Sequence, residues 1–410
     1  MKGKIGSKIL VFHGGKWLKM KNLLAIPNDP LEAYFRSSKE DFLGEFNPLF
    51  KGERFFDEIQ FLNWRDLENG EYFGVNSKAI LKDKGKAEEL YFNLMHSKVL
   101  FDSSDASFRD IFLEDETKIK NEVKRFRPDL IRAFNTHFAL DLGKLARKYS
   151  SAPLMVSAHD PTRLTHSIKD VDALVCESYE LQSLAKEKFG VDPSKISVIH
   201  NGIDRDFFKP QTDGDISKYV PEKFLNAPYK LFSSSRLVRG KNIESLLRAI
   251  SFIKDSLPGL VHLHVGEEAA QPNKTQEIKD LQKEIGLTEI SYFLGSKQKS
   301  ELPAYYSWAD VFVLPTLWEG LSRVMRESLA CGTPVIATNY GSSTEIVQDE
   351  FNGISIDPTN PNDIANAILR FFKENGLKSE LEHHARASSE KYSLTRSMRL
   401  YGNLYRKLMN

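Results

Sequence analysis

A chain of 410 residues is too long for one hydrophobic core, because compact cores stop growing at about 250 to 300 residues, so two domains are expected. Hydrophobic residues make up 41% of the chain and charged residues 28%, which excludes an intrinsically disordered protein. Lysine and arginine number 57 against 56 for aspartate and glutamate. No net field of either sign therefore attracts nucleic acid or an anionic bilayer.

In the first half of the chain, short apolar runs alternate with segments of helical periodicity. The pattern predicts strands over 8–12, 98–101, 129–134, 154–158 and 173–176, and helices over 111–126, 140–149 and 179–189. Strands that alternate with helices indicate βαβ units and a parallel sheet.

Residues 16–24 (KWLKMKNLL) mix lysines with large apolar side chains. Such a segment can lie on anionic lipid, which gives the hypothesis of peripheral contact with the cytoplasmic face of a membrane. The favoured interpretation is a solvated helix that buries one apolar stripe.

The second half repeats the alternation more clearly. Strands are predicted over 230–234, 260–265, 290–294, 311–314 and 335–338, and helices over 242–254, 274–285, 299–308, 321–330 and 361–375. The sequence thus predicts two doubly wound α/β domains, residues 1–205 and 206–390, facing a cleft where strand ends bind ligands. A last helix over 394–408, in the terminal segment 391–410, is expected to pack back on the first domain.

Neither a membrane span nor a metal site finds support in the sequence. No apolar run approaches the roughly 18 residues that a spanning helix needs, and residues 1–8 are not followed by the apolar core of a signal peptide. The two cysteines, Cys176 and Cys331, sit in apolar segments without the spacing of a metal site or a disulfide framework. A cytoplasmic location is therefore expected.

The segment 311–347 (VFVLPTLWEGLSRVMRESLACGTPVIATNYGSSTEIV) is the most informative. A helix is expected to begin near Leu321, and its free N–H groups and positive dipole end suit a diphosphate. Glu319 precedes that helix, and Glu327 lies on it, roughly 12 Å further at most. Carboxylates so near a phosphate are better matched to the vicinal hydroxyls of a ribose or a hexose.

As a bare spacing, two glutamates eight residues apart are also typical of solvated helices. The surrounding residues are more specific, because Glu319, Gly320 and Glu327 are followed by 330–337 (ACGTPVIA) and 345–347 (EIV). This pattern resembles the retaining nucleotide-sugar glycosyltransferases of the GT-B fold, the family 4 type. The resemblance implies two Rossmann-like doubly wound domains facing a central cleft, with the donor held by the C-terminal one.

The resemblance also implies roles for these residues. Glu327 would hold the ribose of the donor nucleotide, and Glu319 the hydroxyls of the donor sugar. Further donor-binding candidates come from the backbone at the start of the helix, at Gly320, Leu321, Ser322 and Arg323. Leu321, Ser322 and Arg323 stand where the family often has an aromatic residue or glycine, and Arg323 and Arg326 add positive charge there.

A second cluster, 233–241 (SSSRLVRGK), follows a predicted strand and precedes a helix. Arg236 and Lys241 lie five residues apart across this loop and can clamp a pyrophosphate from two sides. A pair of solvated cations is the alternative. The cluster matches the family pattern at Arg236, Leu237 and Lys241, which implies that the two cations stabilise the departing nucleoside diphosphate without a metal.

Three further candidates follow other strands. His159 stands where the family commonly places a histidine that points at the donor sugar, with a structural histidine as the alternative. Gly295 and Ser296 stand where the family backbone reads the nucleobase edge, and an ordinary glycine after a strand is the alternative. Gly14 and Gly15 resemble a glycine pair that the family places after its first strand, with a plain turn as the alternative.

The resemblance therefore implies a retaining, metal-independent hexosyltransferase. It would move a hexose-type sugar from a nucleotide diphosphate to a glycan, lipid or small-molecule acceptor, with the nucleotide sugar as co-substrate and no further cofactor. The alternatives are a GT-B sugar phosphorylase, a nucleotide-sugar epimerase, and a non-catalytic binder of sugar nucleotides. No motif specifies the nucleobase or the acceptor.

Overall fold

The computed structural model describes residues 116–134, 137–161, 164, 166–267 and 274–409, together with the backbone of eight short strands between Ile9 and Ala79. The chain divides into two compact units, residues 1–200 with 397–410 and residues 201–396. The predicted strand 98–101 and the glycines Gly14 and Gly15 lie outside the described residues.

The strands of the first unit are β1 (Ile9–His13), β2 (Lys16–Met20), β3 (Asn22–Ile26), β4 (Leu49–Phe50), β5 (Glu53–Arg54), β6 (Glu58–Asn63), β7 (Gly70–Tyr72), β8 (Val75–Ala79), β9 (Leu130–Phe134), β10 (Leu154–Ala158), β11 (Ala173–Cys176) and β12 (Ile196–Val198). Its helices before the second unit are α1 (Glu116–Phe126), α2 (His137–Arg147) and α3 (Tyr179–Glu187), with 3-10 turns at His166–Asp170 and Pro193–Lys195.

Eight strands of the first unit form a sheet in the order β12-β11-β10-β9-β3-β6-β8-β7. Every neighbouring pair in it is parallel except β7 with β8, which is antiparallel. From β3 the chain moves outward to β8 in one direction, and from β9 it moves outward to β12 in the other. The sheet is therefore doubly wound, with its topological switch point between β3 and β9.

Residues 16–20 and 22–24 lie in strands, so the prediction of a helix there is wrong. β2 pairs antiparallel with β1, with His13 opposite Lys16, while β3 is the central strand of the sheet. Two apolar runs around a pair of glycines are typical of a tight hairpin, and the run NLLAI is typical of a central parallel strand. The predicted strand at 8–12 is present as β1, but it lies outside the parallel sheet.

The strands of the second unit are β13 (Tyr229–Ser234), β14 (Leu260–Val265), β15 (Ser291–Phe293), β16 (Val311–Leu314), β17 (Val335–Thr338) and β18 (Gly353–Ile356). Its helices are α4 (Asp213–Ile216), α5 (Glu222–Leu225), α6 (Ile243–Ile253), α7 (Lys274–Glu284), α8 (Leu302–Trp308), α9 (Arg323–Ala330), α10 (Ser343–Ile346), α11 (Pro361–Lys373) and α12 (Leu377–Ser388). The last helix, α13 (Leu394–Met409), begins in the second unit and ends in the first. None of the helices that the structure describes is long and apolar enough to cross a membrane.

The second sheet is wholly parallel, in the order β15-β14-β13-β16-β17-β18. Chain order runs outward from β13 to β15 on one side and from β16 to β18 on the other. The switch point therefore lies between β13 and β16, which pair with Leu231 beside Val311. The loops that follow these two strands leave the same edge of the sheet, where doubly wound folds bind ligands.

Both faces of the second sheet are buried, which explains why its strands are continuous apolar runs. Along β16, Val311 and Val313 belong to one core, together with apolar residues of α6 and α11. Phe312 and Leu314 belong to the other core, with residues of α8 and α9. Complete burial of side chains of this size contributes about 1.5 to 3 kcal/mol each, so the edge that carries the loops is rigidly supported.

At Gly266, just after β14, the backbone passes very close to the residue that follows β13. Its φ is +138°, and a Cβ built there would lie 1.8 Å from the carbonyl oxygen of Ser235. We expect Gly266→Ala to lower the free energy of unfolding by about 2 kcal/mol or more, since both strain and a clash arise. Chemical denaturation measures this change.

Gly214→Ala is the matched control, because Gly214 lies in α4 and a Cβ there would meet nothing nearer than 3.9 Å. That substitution is expected to be neutral or to stabilise by up to about 1 kcal/mol. Equal unfolding free energies for the two variants would contradict the close approach at Gly266.

Candidate functional site

An ion pair joins the two loops on either side of the switch point in the second unit. Arg236 and Lys241 follow β13, and Glu319 follows β16. Lys241 Nζ donates to Glu319 Oε1, and both side chains are largely buried, whereas Arg236 is exposed. The structure thus brings together Lys241 and Glu319, which are 78 residues apart in sequence.

Backbone packing holds the same two loops together. The indole of Trp318 lies against Gly240, where a Cβ would be 2.6 Å from the ring. The carbonyl of Gly240 accepts hydrogen bonds from Leu317 N at 2.8 Å and from Thr316 Oγ1 at 3.0 Å. Only glycine permits this approach, so the position of the neighbouring Lys241 is set by backbone contacts as well as by its own charge.

Asn242 directly follows Lys241 and precedes α6, and its backbone conformation explains why asparagine suits this position. Its φ is 56° and its ψ is 38°, in the left-handed region that asparagine tolerates better than most residues. Its Nδ2 donates to the carbonyls of Pro315, at 3.2 Å, and of Pro358, at 2.6 Å. The side chain therefore ties the loop after β13 to the end of β16.

Glu327 lies on α9 and is almost completely buried, with 3% of its surface exposed. Its Oε1 accepts from Arg323 Nε at 2.9 Å, and its Oε2 accepts from Tyr306 OH at 3.0 Å. Burial, and then the Glu327 carboxylate, raise the pKa of Tyr306 well above its usual value, so the phenol stays a donor. Tyr306 thus fixes the direction of the carboxylate.

The start of α9 offers hydrogen-bonding groups that no side chain caps. Ser322 is the N-cap residue, but its side chain makes no capping bond to the helix. Its Oγ is buried and has no hydrogen-bond partner among the residues that the structure describes. The first N–H groups of a helix have no intrahelical partner, so this end of α9 can accept an anion.

Arg326 has a structural position, contrary to the expectation that it adds charge at the site. It is 1% exposed and donates to three backbone carbonyls: Ser322 at 3.1 Å, Leu321 at 2.9 Å, and Asn201. Its guanidinium also lies 5.7 Å from the ring centroid of Tyr392. Arg326 therefore anchors the start of α9 from the protein interior.

Gly295 and Ser296 lie at the same edge, after β15. Gly295 has a φ of +70°, and its carbonyl accepts from Gly266 N at 3.0 Å. Ser296 N donates to Glu267 Oε1 at 3.0 Å. These contacts connect the ends of β14 and β15, and they place a carboxylate, Glu267, where the sequence pointed only to backbone groups.

His159 lies in the first unit, directly after β10. Its Nδ1 is 3.1 Å from Oε2 of Glu177, a buried residue that directly follows β11. The pairing of Ala158 with Cys176 in the two parallel strands brings these side chains together. The sequence analysis missed Glu177, although residues that follow neighbouring parallel strands are expected to meet. Gly15, the other candidate of this unit, lies outside the described residues.

Within the described residues, no three or more His, Cys, Asp and Glu side chains are grouped so that they could hold a metal ion. The polar groups at the switch point of the second unit are instead two carboxylates, their cationic partners and a helix N-terminus. Two doubly wound α/β units in one chain, with such a set of groups at a switch point, agree with the GT-B fold that the sequence resemblance implies.

Comparison with known proteins identifies the family. The model of "Glycosyl transferases group 1" matches residues 218–391, and that of "Glycosyltransferase Family 4" matches residues 83–207. The chain belongs to the GT-B glycosyltransferases of the family 4 type, as the sequence resemblance predicted.

The chain aligns with only part of the length of its curated relatives. A D-inositol 3-phosphate glycosyltransferase of Corynebacterium jeikeium is 28% identical over 248 residues, which cover 59% of this chain and 58% of that protein. The UDP-Gal:alpha-D-GlcNAc-diphosphoundecaprenol alpha-1,3-galactosyltransferase of Escherichia coli is 26% identical over 271 residues, covering 60% and 67%. The match to the first of these relatives thus spans little more than half of its length.

Solved structures share the fold over nearly the whole chain. A glycosyltransferase of Rickettsia africae aligns with a TM-score of 0.72 at 18% identity, covering 95% of this chain and 99% of that one. HepE of Anabaena, solved in complex with UDP and glucose, aligns with a TM-score of 0.71 at 20% identity, covering 94% and 99%. At this identity the likeness confirms the predicted GT-B fold.

The two arginines of α9 give a matched test of the site's architecture. Arg326→Met removes a buried guanidinium that donates to three backbone carbonyls, and is expected to lower the free energy of unfolding by about 3 kcal/mol or more. Arg323→Met removes a side chain that is 57% exposed, and Glu327 keeps its bond from Tyr306, so a smaller loss of about 1 kcal/mol is expected. Chemical denaturation followed by tryptophan fluorescence measures both. Similar losses would show that Arg326 does not anchor α9.

Proposed function

We propose that this chain transfers a sugar from a nucleotide diphosphate donor that binds at the strand ends of the second unit. The observation that carries the proposal is the ion pair of Lys241 with Glu319 at the switch point between β13 and β16, followed in the chain by the uncapped start of α9, the helix that carries Glu327. A nucleoside diphosphate sugar has anionic phosphates and vicinal hydroxyls, and this edge has groups complementary to both.

The buried carboxylate is proposed to hold the ribose. Tyr306 holds Oε2 of Glu327, so the partner that can be exchanged is Arg323 on Oε1. Arg323 is 57% exposed against 5% for the Glu327 side chain, so it can leave the carboxylate without breaking core packing. A ribose hydroxyl would then donate to Oε1, and the released guanidinium would face the diphosphate.

The start of α9 is proposed to hold the phosphates. The N–H groups of its first turn and the buried Ser322 hydroxyl, which has no hydrogen-bond partner among the described residues, can all donate to phosphate oxygens. Arg326 supports this arrangement, because its bonds to the carbonyls of Leu321 and Ser322 hold the preceding backbone in place.

Lys241 and Arg236 are proposed to stabilise the negative charge that develops on the departing nucleoside diphosphate. An ammonium group has three donors, so Lys241 can keep its bond to Glu319 and also bind a phosphate oxygen. Glu319 remains able to accept from sugar hydroxyls through its second oxygen. Groups already held in place before the reaction stabilise such charge most effectively.

In the first unit, we propose that His159 contacts the sugar and that Glu177 orients its ring. A carboxylate that accepts from one imidazole nitrogen sets the tautomer and the plane of the ring. The proposal includes retention of the anomeric configuration and activity without a metal, as the family resemblance implies. UDP is the first nucleotide to test, because HepE was solved with UDP and the relative from Escherichia coli is named for UDP-Gal.

Nucleotide binding provides the first test. In EDTA, the protein is expected to bind one of UDP, GDP and ADP preferentially, and a ligand at ~100 times its Kd adds about 2.7 kcal/mol to stability. Glu327→Gln should weaken binding roughly 10- to 100-fold, since it removes a charge-assisted hydrogen bond. Calorimetric titration and thermal shift measure these effects.

Glu284→Gln is the control for this experiment, because Glu284 is an exposed residue of α7. It should bind nucleotide as the wild type does. Absence of binding by any nucleotide, or equal binding by the Glu327 and Glu284 variants, would contradict the proposed donor site.

Release of the nucleoside diphosphate tests the role of Lys241. Lys241→Met is expected to lower kcat for release of UDP from a UDP-sugar about 100- to 1,000-fold, because one stabilising group for the leaving charge is lost. Lys283→Met changes an exposed lysine of α7 and should leave kcat unchanged. An unchanged kcat in the Lys241 variant would refute its role, and release that requires inorganic phosphate would indicate a phosphorylase instead.

A further inference from the structure

A chain of buried polar side chains lies beneath the loop that carries Arg236. Ser233, His262, His264 and Ser291 are each 0% exposed, on the neighbouring strands β13, β14 and β15. We call these four residues the buried His-Ser network. Ser233 Oγ is 2.8 Å from His262 Nε2 and 2.7 Å from His264 Nδ1, so it joins the two rings.

The network ends on a serine hydroxyl at one side and on the main chain at the other. His262 Nδ1 is 3.2 Å from Ser291 Oγ. His264 Nε2 is 3.2 Å from the carbonyl oxygen of Ser235, the residue that directly precedes Arg236. Each ring nitrogen of both histidines therefore has a partner within the second unit.

The carbonyl at one end determines the direction of the hydrogen bonds. A carbonyl can only accept, so His264 Nε2 carries the proton, and His264 Nδ1, in a neutral ring, accepts from the Ser233 hydroxyl. Ser233 has then used its single proton, so His262 Nε2 donates to it and His262 Nδ1 accepts from Ser291. Burial lowers the pKa of His262 to about 3 and that of His264 to about 4, so both rings are neutral at pH 7.

The peptide between Ser235 and Arg236 is held from several sides. Ser235 N donates to Val265 O at 3.1 Å, and its carbonyl accepts from His264 while Gly266 packs closely against it. Leu237 N, one residue beyond Arg236, donates to Glu267 O at 2.9 Å. The point at which Arg236 leaves the sheet is therefore set by contacts with β14 and the residues after it.

Apolar side chains would pack in these positions without such requirements. Burying two imidazoles and two hydroxyls costs free energy unless all of them are hydrogen-bonded, and the strand β14, LVHLHV, has leucine and valine at its other positions. A complete, one-directional network that ends on the peptide before Arg236 is better explained by positioning than by stability alone.

We propose that His264 is a positioning residue for the donor site, acting through the Ser235 carbonyl to direct Arg236 toward the leaving diphosphate. This inference rests on the proposed function. Ser233 and His262 hold His264 in the tautomer that can donate. The residue touches no substrate, so its effect is expected in the geometry of the charged loop.

The tautomers can be observed directly. In wild-type protein with 15N-labelled histidine at pH 7, long-range 1H-15N spectra should show both His262 and His264 as neutral rings protonated at Nε2. Their signals are assigned by loss in His262→Gln and His264→Gln. A charged ring, or an Nδ1-protonated His264, would overturn the inference, because the bond to Ser235 would then have another direction.

The function of the bond is tested with three variants. His264→Gln keeps an amide donor near the former Nε2, and should stay within about 3-fold of wild type in UDP affinity and in kcat for UDP release. His264→Leu removes the donor, and is expected to lower kcat about 10-fold or more. Ser291→Ala removes one hydrogen bond at the far end of the network, and serves as the control for destabilisation without loss of the Ser235 contact.

The comparison separates positioning from folding. Rescue by glutamine, together with near-normal kinetics in Ser291→Ala, would support the inference. Equal losses of kcat in His264→Leu and Ser291→Ala, or no rescue by His264→Gln, would overturn it. If the wild type bound no nucleotide, the proposed function would fail, and the tautomers of the wild-type rings would still test the direction of the network.

Discussion

The contacts between the loops at the switch point of the second unit depend on the parallel pairing of β13 with β14 and β16. Parallel strands end at the same edge of a sheet. Successive strands are added on one side of β13 and on the other side of β16, so the loops after these two strands lie beside each other. The ion pair of Lys241 with Glu319 and the packing of Trp318 on Gly240 are consequences of this register. A shift of one residue in β16 would exchange the side chains that face the two cores of this unit.

The two arginines of α9 differ in burial and in the groups that they contact. Arg326 is buried and bonds to backbone carbonyls, so its charge stabilises structure. Arg323, three residues earlier on the same helix, is largely exposed and pairs with a buried carboxylate. The exposed Arg323 guanidinium can turn into solvent without opening the core, whereas Arg326 cannot leave its backbone carbonyls without doing so. The helix thus carries one cation inside the core and one at the surface.

The sequence predicts most of the sheet structure correctly where burial on both faces makes strands continuous apolar runs. The bounds of β10, β11, β14, β16 and β17 match the structure for this reason. The prediction for residues 16–24 is wrong because lysines interrupt the apolar pattern, which then resembles that of a helix. The partner of β3 in the sheet, β9, is distant in sequence. The edge strands β12 (ISV) and β18 (GISI) were not predicted, since serine or glycine interrupts their short apolar runs.

Some residues of the candidate site can be predicted from the sequence and others cannot. Glu319, Glu327 and Lys241 could be found because each belongs to a motif of fixed spacing, and the structure brings Lys241 and Glu319 into contact. Tyr306, Glu177 and Arg326 gain their importance from tertiary contacts across 21, 18 and 125 residues. No local pattern encodes such contacts. The two histidines of β14 resemble ordinary interruptions of an apolar strand until their partners on β13 and β15 are known.

A crystal structure of the protein with UDP tests the central claim most directly. The account predicts the diphosphate at the start of α9, a ribose hydroxyl within hydrogen-bonding distance of Glu327 Oε1, and Arg323 displaced from that oxygen. UDP bound elsewhere, or UDP bound at this edge while Arg323 still covers Glu327, would contradict the assignment of Glu327 as the ribose ligand.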